Sequence, residues 1–279
     1  MVKIAVAGGT GQVAREVIDA LVAAKKHEIT ILSRSASSEE ITTPGIRWLV
    51  VNYSDKGVNR FAPSEYASAG TVHMPWWAGK EEIRKYLRKV NENRKVLEYT
   101  LFQPGLFLDY LASPYKTARH VAPLDTVFDF QNRRAIIVDG HEDAIMTLTT
   151  AADLAAVVAR AVDYEGEWPE IGGISGNRVT FSRVIEIGEK IRGGPFTIDK
   201  VKLQDLEAGV LKTSWALTKK HGAIAEEQAS GFFTAVPIGM LLSSVEGAWD
   251  VSDELNQLFA DYKFEEIDAF LTKVWDGKP

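Results

Sequence analysis

The 279-residue chain contains no cysteine. That excludes disulfides, thiolate metal sites and cysteine nucleophiles together, and it suits a reducing, cytoplasmic setting. Basic charge is also short, with 32 Lys and Arg against 38 Asp and Glu and a net charge of −6. No basic stripe would supply the counterion release behind phosphate-backbone binding, so nucleic acid is not an expected partner. Long apolar runs are missing. The most apolar late stretch, 232–242, holds Pro237 and Gly239 and is too short to span a bilayer, so no membrane is expected. Residues 1–7 lack the charged flank and longer apolar core of a signal peptide. The five histidines, His27, His73, His120, His141 and His221, have no metal-ligand spacing, and no metal is expected.

What remains is ordinary for a globular protein: 46% hydrophobic and 25% charged residues, enough for one large domain or two small ones. Residues 2–7 form a buried-strand pattern that meets Gly8-Gly9-Thr10-Gly11. A helix follows, with Val13, Val17, Leu21 and Ala24 on one face. Strands are expected at 28–32, 47–52 and 98–102, and a charged amphipathic helix at 79–90 has acids early and bases late, as the helix dipole favours. Thr150 to Asp153 resembles a capping box before a helix at 154–162, and Thr180 is placed to cap another through Val184, Ile187 and Ile191. Phe264, Ile267, Phe270 and Val274 give the last helix an apolar face. The alternation of strand and helix predicts an α/β fold with a doubly wound parallel sheet. The turn-rich stretch 163–178 reads as a connection, dividing a dinucleotide-binding domain, 1–165, from a smaller C-terminal substrate lobe, 166–279.

The glycine turn carries chemistry. Gly8-x-x-Gly11-x-x-Ala14 lies between a strand and a helix, the setting in which such a pattern has meaning. Gly8 and Gly11 admit a pyrophosphate to the backbone, and Ala14 keeps helix and strand close. Gly8, Thr10, Gly11, Gln12 and Val13 are the expected cofactor contacts. An NAD site usually has an acid about twenty residues on; here Arg34 stands between two serines. A guanidinium suits a 2′-phosphate, so NADP(H) is the expected cofactor; a solvated loop arginine is the plainer alternative.

Ala5-Val6-Ala7-Gly8-Gly9-Thr10-Gly11, Arg60-Phe61-Ala62-Pro63-Ser64-Glu65-Tyr66, Lys80 on its helix, and Phe102-Gln103-Pro104-Gly105-Leu106-Phe107 together resemble the isoflavone reductase-like and NmrA-like family. These are atypical short-chain dehydrogenases with a Rossmann-like fold, and the resemblance covers most of residues 1 to about 215. It implies that Lys80 sits beside the nicotinamide, where it holds the ribose by hydrogen bonds or hands over a proton. The tyrosine that typical short-chain dehydrogenases place four residues before that lysine is Trp76 here, so the phenolic acid is absent. Ser64 and Glu65 either line the nicotinamide pocket or only satisfy backbone groups of their loop, His73, Trp76 and Trp77 form a substrate wall or core, and Phe107 packs either near the nicotinamide or in the core. Two functions from different classes follow: reduction of a C=C, C=O or C=N bond in a small secondary metabolite, or dinucleotide sensing without catalysis. An inactive truncated paralogue is a third.

One departure is physical. The resemblance implies a helix, a strand and another helix between the third strand and the 60–66 signature, where this chain has only residues 54–59. The return path along a strand and across three strand spacings is about 22 Å. Six extended residues reach about 20 Å, and a parallel crossover needs a dozen or more. The third strand is therefore displaced, the sheet rearranged, or the sequence a spliced or mis-predicted form of a longer chain.

Overall fold

The computed structural model describes residues 1–33, 46–50, 59–218 and 229–279, without the side chains of 33, 49, 50, 229 and 230. Arg34, His221 and residues 51–58, most of the short link, lie outside the described residues.

β1 (Lys3–Ala7) runs into a turn in which Gly8 takes φ +69°, a left-handed conformation that glycine adopts without strain. α1 (Gln12–Ala24) buries Val17, Ile18 and Leu21 on one face and closes at Lys25, whose N–H bonds to the carbonyl of Val22. β2 (Glu28–Ser33) and β3 (Ile46–Val50) complete a parallel sheet in the order β1–β2–β3. β4 (Arg60–Phe61) leads into the signature loop, and α2 (Ala78–Val90) follows a short 3-10 turn at Pro75–Trp77.

The strand expected at 98–102 divides into β5 (Glu98–Tyr99) and β6 (Leu101–Gln103). Successive N–H groups of a strand point to opposite sides. The N–H of Thr100 reaches the carbonyl of Phe61 at 3.2 Å, and that of Leu101 reaches the carbonyl of Glu170 at 2.9 Å. The chain thus hands its pairing from β4 on one side to a strand at Ile171–Gly173 on the other.

β7 (Leu106–Phe107), β8 (Phe128–Asp129), β9 (Arg134–Val138) and β10 (Ile145–Thr149) precede α3 (Ala151–Asp163). The Ile171–Gly173 strand is β11; β12 (Asn177–Thr180), α4 (Phe181–Arg192) and β13 (Thr197–Val201) follow. α5 (Leu203–Glu207), α6 (Ala229–Val245), α7 (Glu254–Leu258) and α8 (Ile267–Trp275) end the chain. The sheets here are β7–β10–β12 and β8–β9–β13. Among the described residues no helix is long and apolar enough to cross a membrane.

Two apolar clusters organise the interior. One joins Val17, Leu21, Ile29, Phe102, Phe107, Leu154, Val157 and Trp168, so α1, α3 and β6 meet there. The other gathers Phe128, Ile136, Met146, Phe181, Leu241, Leu271 and Trp275 from the C-terminal elements. The last helix buries Ile267, Leu271 and Trp275 at four-residue spacing. Phe264 precedes it and meets Tyr262 edge-on instead of sharing that face.

Both expected caps form. Thr150 Oγ1 accepts from the N–H of Asp153 at 2.9 Å, and Thr180 Oγ1 accepts from that of Arg183 at 3.0 Å. Asp153 goes further, accepting from the Tyr262 hydroxyl at 2.7 Å and the N–H of Glu265 at 3.2 Å. Thr150→Ala should therefore lower stability by about 1–2 kcal/mol in urea melts. Asp153→Ala keeps the backbone N–H of that cap but takes the acceptor from the hydroxyls of Thr150 and Tyr262 and from the Glu265 N–H, and should cost more. Equal losses would mean that the C-terminal arm gains nothing from Asp153.

Among the described residues the second edge of β1 is unpaired. A strand inside a doubly wound parallel sheet is covered on both faces and paired on both edges. Among the described residues β1 pairs only with β2, and β4 only with β5. Lys3, Ala5 and Ala7 are exposed, and Ile4 and Val6 only half-buried. A form with a helix–strand–helix inserted at the 51–58 link should therefore melt higher than the 279-residue chain and bind NADPH more tightly. Paired thermal melts with and without NADPH measure this; a short chain that melts as high, with an equal NADPH-dependent rise, would show the open edge to be harmless.

Candidate dinucleotide site

The glycine turn is built on β2. The N–H of Gly8 reaches the carbonyl of Leu32 at 3.3 Å, and that of Gly11 closes on the carbonyl of Gly8 at 2.9 Å. A Cβ on Gly9 would come within 2.6 Å of Ile31 Cγ2, so only glycine lets the turn lie this close to the sheet. A Cβ on Gly8 would meet nothing within 4 Å, so that position borders open space. Gly11 caps α1 without a side-chain bond, and no acid occupies the first helical turn. The first N–H groups of the helix are therefore left without the usual internal acceptor, which is what a pyrophosphate requires.

Thr10 and Gly11 are exposed at this turn. The Gln12 side chain is engaged elsewhere: its Oε1 accepts from the N–H of Ala122 at 2.9 Å. Val13 packs against the cluster containing Val17. Any contact from Val13 to an anion is thus a backbone contact, whereas Gln12 can offer both its backbone N–H and its Nε2 amide.

The signature loop and α2 form the second half of the site. Lys80 Nζ donates to the carbonyls of Ser64 and Glu65, both at 2.6 Å, and lies 5.7 Å from the centre of the Trp77 ring. Burial pushes the Lys80 ammonium below the ordinary lysine value of 10.5; Glu65 opposes that shift and Arg84 adds to it. Ser64 contributes its carbonyl to this arrangement. Tyr66 adopts φ +30°, and burial pushes its phenol up to about 12.

The sequence offered Glu65 as a pocket candidate, but not its pairing with Arg84 behind the lysine. Glu65 is 1% exposed, and its carboxylate receives Arg84 Nε at 3.1 Å and Arg84 Nη2 more closely still. Arg84 also donates to the carbonyls of Ala69 at 2.8 Å and Ser68 at 3.2 Å. The available signal was spacing, since Lys80 and Arg84 lie four residues apart on one helical face.

Trp76 is wedged among rings, 6.2 Å from Trp77 and 5.9 Å from Phe232. A Cβ on Gly239 would lie 2.6 Å from the Trp76 ring, so α6 is packed close against it. Phe107 is buried in the apolar cluster that contains Val17 and Leu21, edge-on to Tyr110 at 5.7 Å. The structure thus brings Ser64, Trp76, Trp77 and Lys80 together and places Phe107 in the packing around α1.

A polar strut was also missed. Glu16 Oε1 accepts from the N–H groups of His120 and Val121 at 2.5 and 3.2 Å, and Asp19 meets His120 Nε2 at 2.9 Å. With Gln12, these side chains tie one flank of α1 to residues 120–122. Beside them, burial raises Asp109, whose carboxylate accepts from the Ala151 N–H and the Thr117 hydroxyl, each at 2.8 Å. Among the described residues, no three His, Asp or Glu side chains converge as metal ligands would.

The oxidoreductase BOA1 of Botryotinia fuckeliana (strain B05.10) is 29% identical over 238 residues, covering 69% of this chain and 77% of that protein. The oxidoreductase swnN of Metarhizium robertsii is 22% identical over 341 positions, taking in 100% of this chain and 98% of that protein. That alignment is longer than the 279-residue chain, so the relative carries residues with no counterpart here. A crystal structure of isoflavone reductase superposes with a TM-score of 0.65 at 16% identity, covering 97% of this chain and 98% of that one. A leucoanthocyanidin reductase–NADPH complex from Vitis vinifera gives 0.61 at 13%, covering 97% and 98%. These likenesses establish a shared Rossmann-like fold. The NmrA-like family model matches residues 47–271, most of the length, and the chain belongs to that family.

Proposed function

We propose that the chain is an NADPH-dependent reductase of a small secondary metabolite, acting on a C=C, C=O or C=N bond in the cytoplasm. The observation that carries this reading is Lys80, half-buried and held by two carbonyls of the signature loop. An ammonium has three N–H donors, and two are engaged here, which leaves one for a ribose hydroxyl or a substrate atom. A lowered pKa makes that group a readier proton donor near neutral pH. Trp76 offers no phenol at the position where typical short-chain dehydrogenases carry one. Tyr66 does not replace it, because burial holds its proton more tightly than in water.

The dinucleotide would supply the hydride. Gly8, Thr10 and Gly11, with the backbone of Gln12 and Val13, would hold its pyrophosphate, and Arg34 would meet the 2′-phosphate. Residues 166–279 would form the substrate lobe over the 1–165 cofactor domain. The relatives' names support redox chemistry, since BOA1 and swnN are both called oxidoreductases.

Trp76 favours one competing reading, a dinucleotide sensor without turnover. Incubating the chain with NADPH and a panel of small quinones, enones and imines, and following loss of NADPH absorbance, separates the two. Turnover supports the reductase; tight binding of both oxidised and reduced forms without turnover supports the sensor.

Arg34 sets the cofactor prediction. NADPH should bind about ten- to a hundredfold more tightly than NADH, the equivalent of roughly 1.5–3 kcal/mol for a charge-assisted contact. Fluorescence titration of the native chain and Arg34→Ala measures it, and an unchanged preference in the variant would remove Arg34 from the site. For Lys80, substitution by alanine should lower turnover about a hundredfold or more while the thermal melt stays within a few degrees of native. Full activity in a folded Lys80→Ala chain would end its catalytic assignment.

A further inference from the structure

We infer that Arg84 is the positioning residue of Lys80, acting through Glu65 and the loop it clamps. This rests on the reading of Lys80 as the working lysine, but the geometry stands by itself. Lys80 has no carboxylate hydrogen bond among those described; its ammonium is fixed by two main-chain carbonyls, those of residues 64 and 65. Carbonyl positions are only as good as the loop that carries them. That loop holds Tyr66 at φ +30°, a conformation side-chain-bearing residues seldom keep without outside support.

Arg84 supplies the support from one turn along the same helix. Its guanidinium engages Glu65 twice and reaches the carbonyls of Ser68 and Ala69, spanning both sides of Tyr66. A planar fork makes these contacts at once, which the point charge of a lysine does not do. Gln103 of β6 stands 3.5 Å from the same Glu65 oxygen. Glu81, on the outer side, lies 3.6 Å from Arg84 and 3.1 Å from Arg88. The charged groups identified as acting on Lys80 are therefore Glu65 from the loop and Arg84 from its own helix, with Glu81 behind Arg84.

The two partners act on Lys80 with opposite sign. Glu65 favours the ammonium, so Glu65→Gln should move the Lys80 titration to lower pH while Arg84 still holds the loop. Arg84→Lys keeps the charge but loses the fork; the loop loosens, water reaches Lys80, and its titration should move up toward that of ordinary lysine.

Competitive acetylation of the full chain with trace acetic anhydride, read by peptide mass spectrometry across the alkaline range, gives the Lys80 midpoint without cofactor or substrate. One unit of midpoint shift changes the free-amine fraction about tenfold at a fixed pH well below the midpoint. Opposite shifts in Glu65→Gln and Arg84→Lys support the positioning role. Unmoved midpoints in folded variants overturn it and leave Arg84 a stabilising residue only. If either single variant fails to fold, the Glu65→Gln/Arg84→Met double variant removes both charges together. In it the midpoint should rise as the loop is released, and a native midpoint there also overturns the proposal. Retained turnover in Lys80→Ala would instead sink the catalytic reading of Lys80 and leave this titration result standing.

Discussion

A carboxylate sealed from water must find a cation or give up its charge, and in this chain the Glu65–Arg84 pair meets that demand. Much of the signature region is arranged around it. Arg84 lies six residues before the end of α2, so satisfying Glu65 fixes how the helix rests on the loop. The same loop accepts the N–H of Gly105 at the Ala67 carbonyl, 3.2 Å away, and donates the N–H of Ala69 to Ala248 at 2.9 Å. One buried pair therefore sits where α2, the β6–β7 turn and the C-terminal region meet. Removing a single partner would leave the other charge buried and unpaired, which is why such pairs tolerate joint replacement better than single loss.

The N-terminal unit is attached by different forces. Within β1–β2–β3 the chain is joined by backbone ladders, but among the described residues the unit meets the rest through its side chains. Val17 and Leu21 of α1 pack with Leu154 and Val157 of α3, while Ile4 and Val6 lean on the same cluster. Gln12, Glu16 and Asp19 add polar struts to residues 120–122. Apolar packing is strong in total but weakly directional, whereas a strand ladder fixes register residue by residue. The glycine turn is consequently well formed within its own unit and located relative to Lys80 by packing.

What was legible in the sequence was local. Gly8 and Gly11 announced the turn, the spacing of Val17 and Leu21 announced α1, and Thr150 and Thr180 announced their caps, because each signal lies within a few residues of what it controls. The Glu65–Arg84 pair was not legible. Nineteen positions separate them, and only the fold of the loop back over α2 turns the carboxylate inward. The C-terminal strands were hidden for a related reason. β7 and β8 are two residues each, and β11 is Ile171-Gly172-Gly173; none carries an alternating pattern, and each exists because a distant partner is there to pair with. Phe107 was open between pocket and core, and it is buried in the cluster that also holds Val17 and Leu21, edge-on to Tyr110.

These two modes of attachment have a consequence for chemistry. Reacting groups must be aligned to a fraction of an ångström, and a misplacement of about 1 Å costs on the order of a hundredfold in rate. Lys80 is tightly held within its own unit by two carbonyls and a clamped loop. The turn that would hold the pyrophosphate is tightly held within the other. No ladder between β1 and β4 carries one frame into the other among the described residues. A dinucleotide long enough to touch both would then act as part of the scaffold, since a ligand that binds only the aligned arrangement stabilises it by mass action, by about 2.7 kcal/mol at a hundred times its Kd. Binding and alignment become one equilibrium, in which the apparent affinity carries the cost of bringing the two units into register. Filling the open edge of β1 would remove that cost from the ligand and place it in the fold.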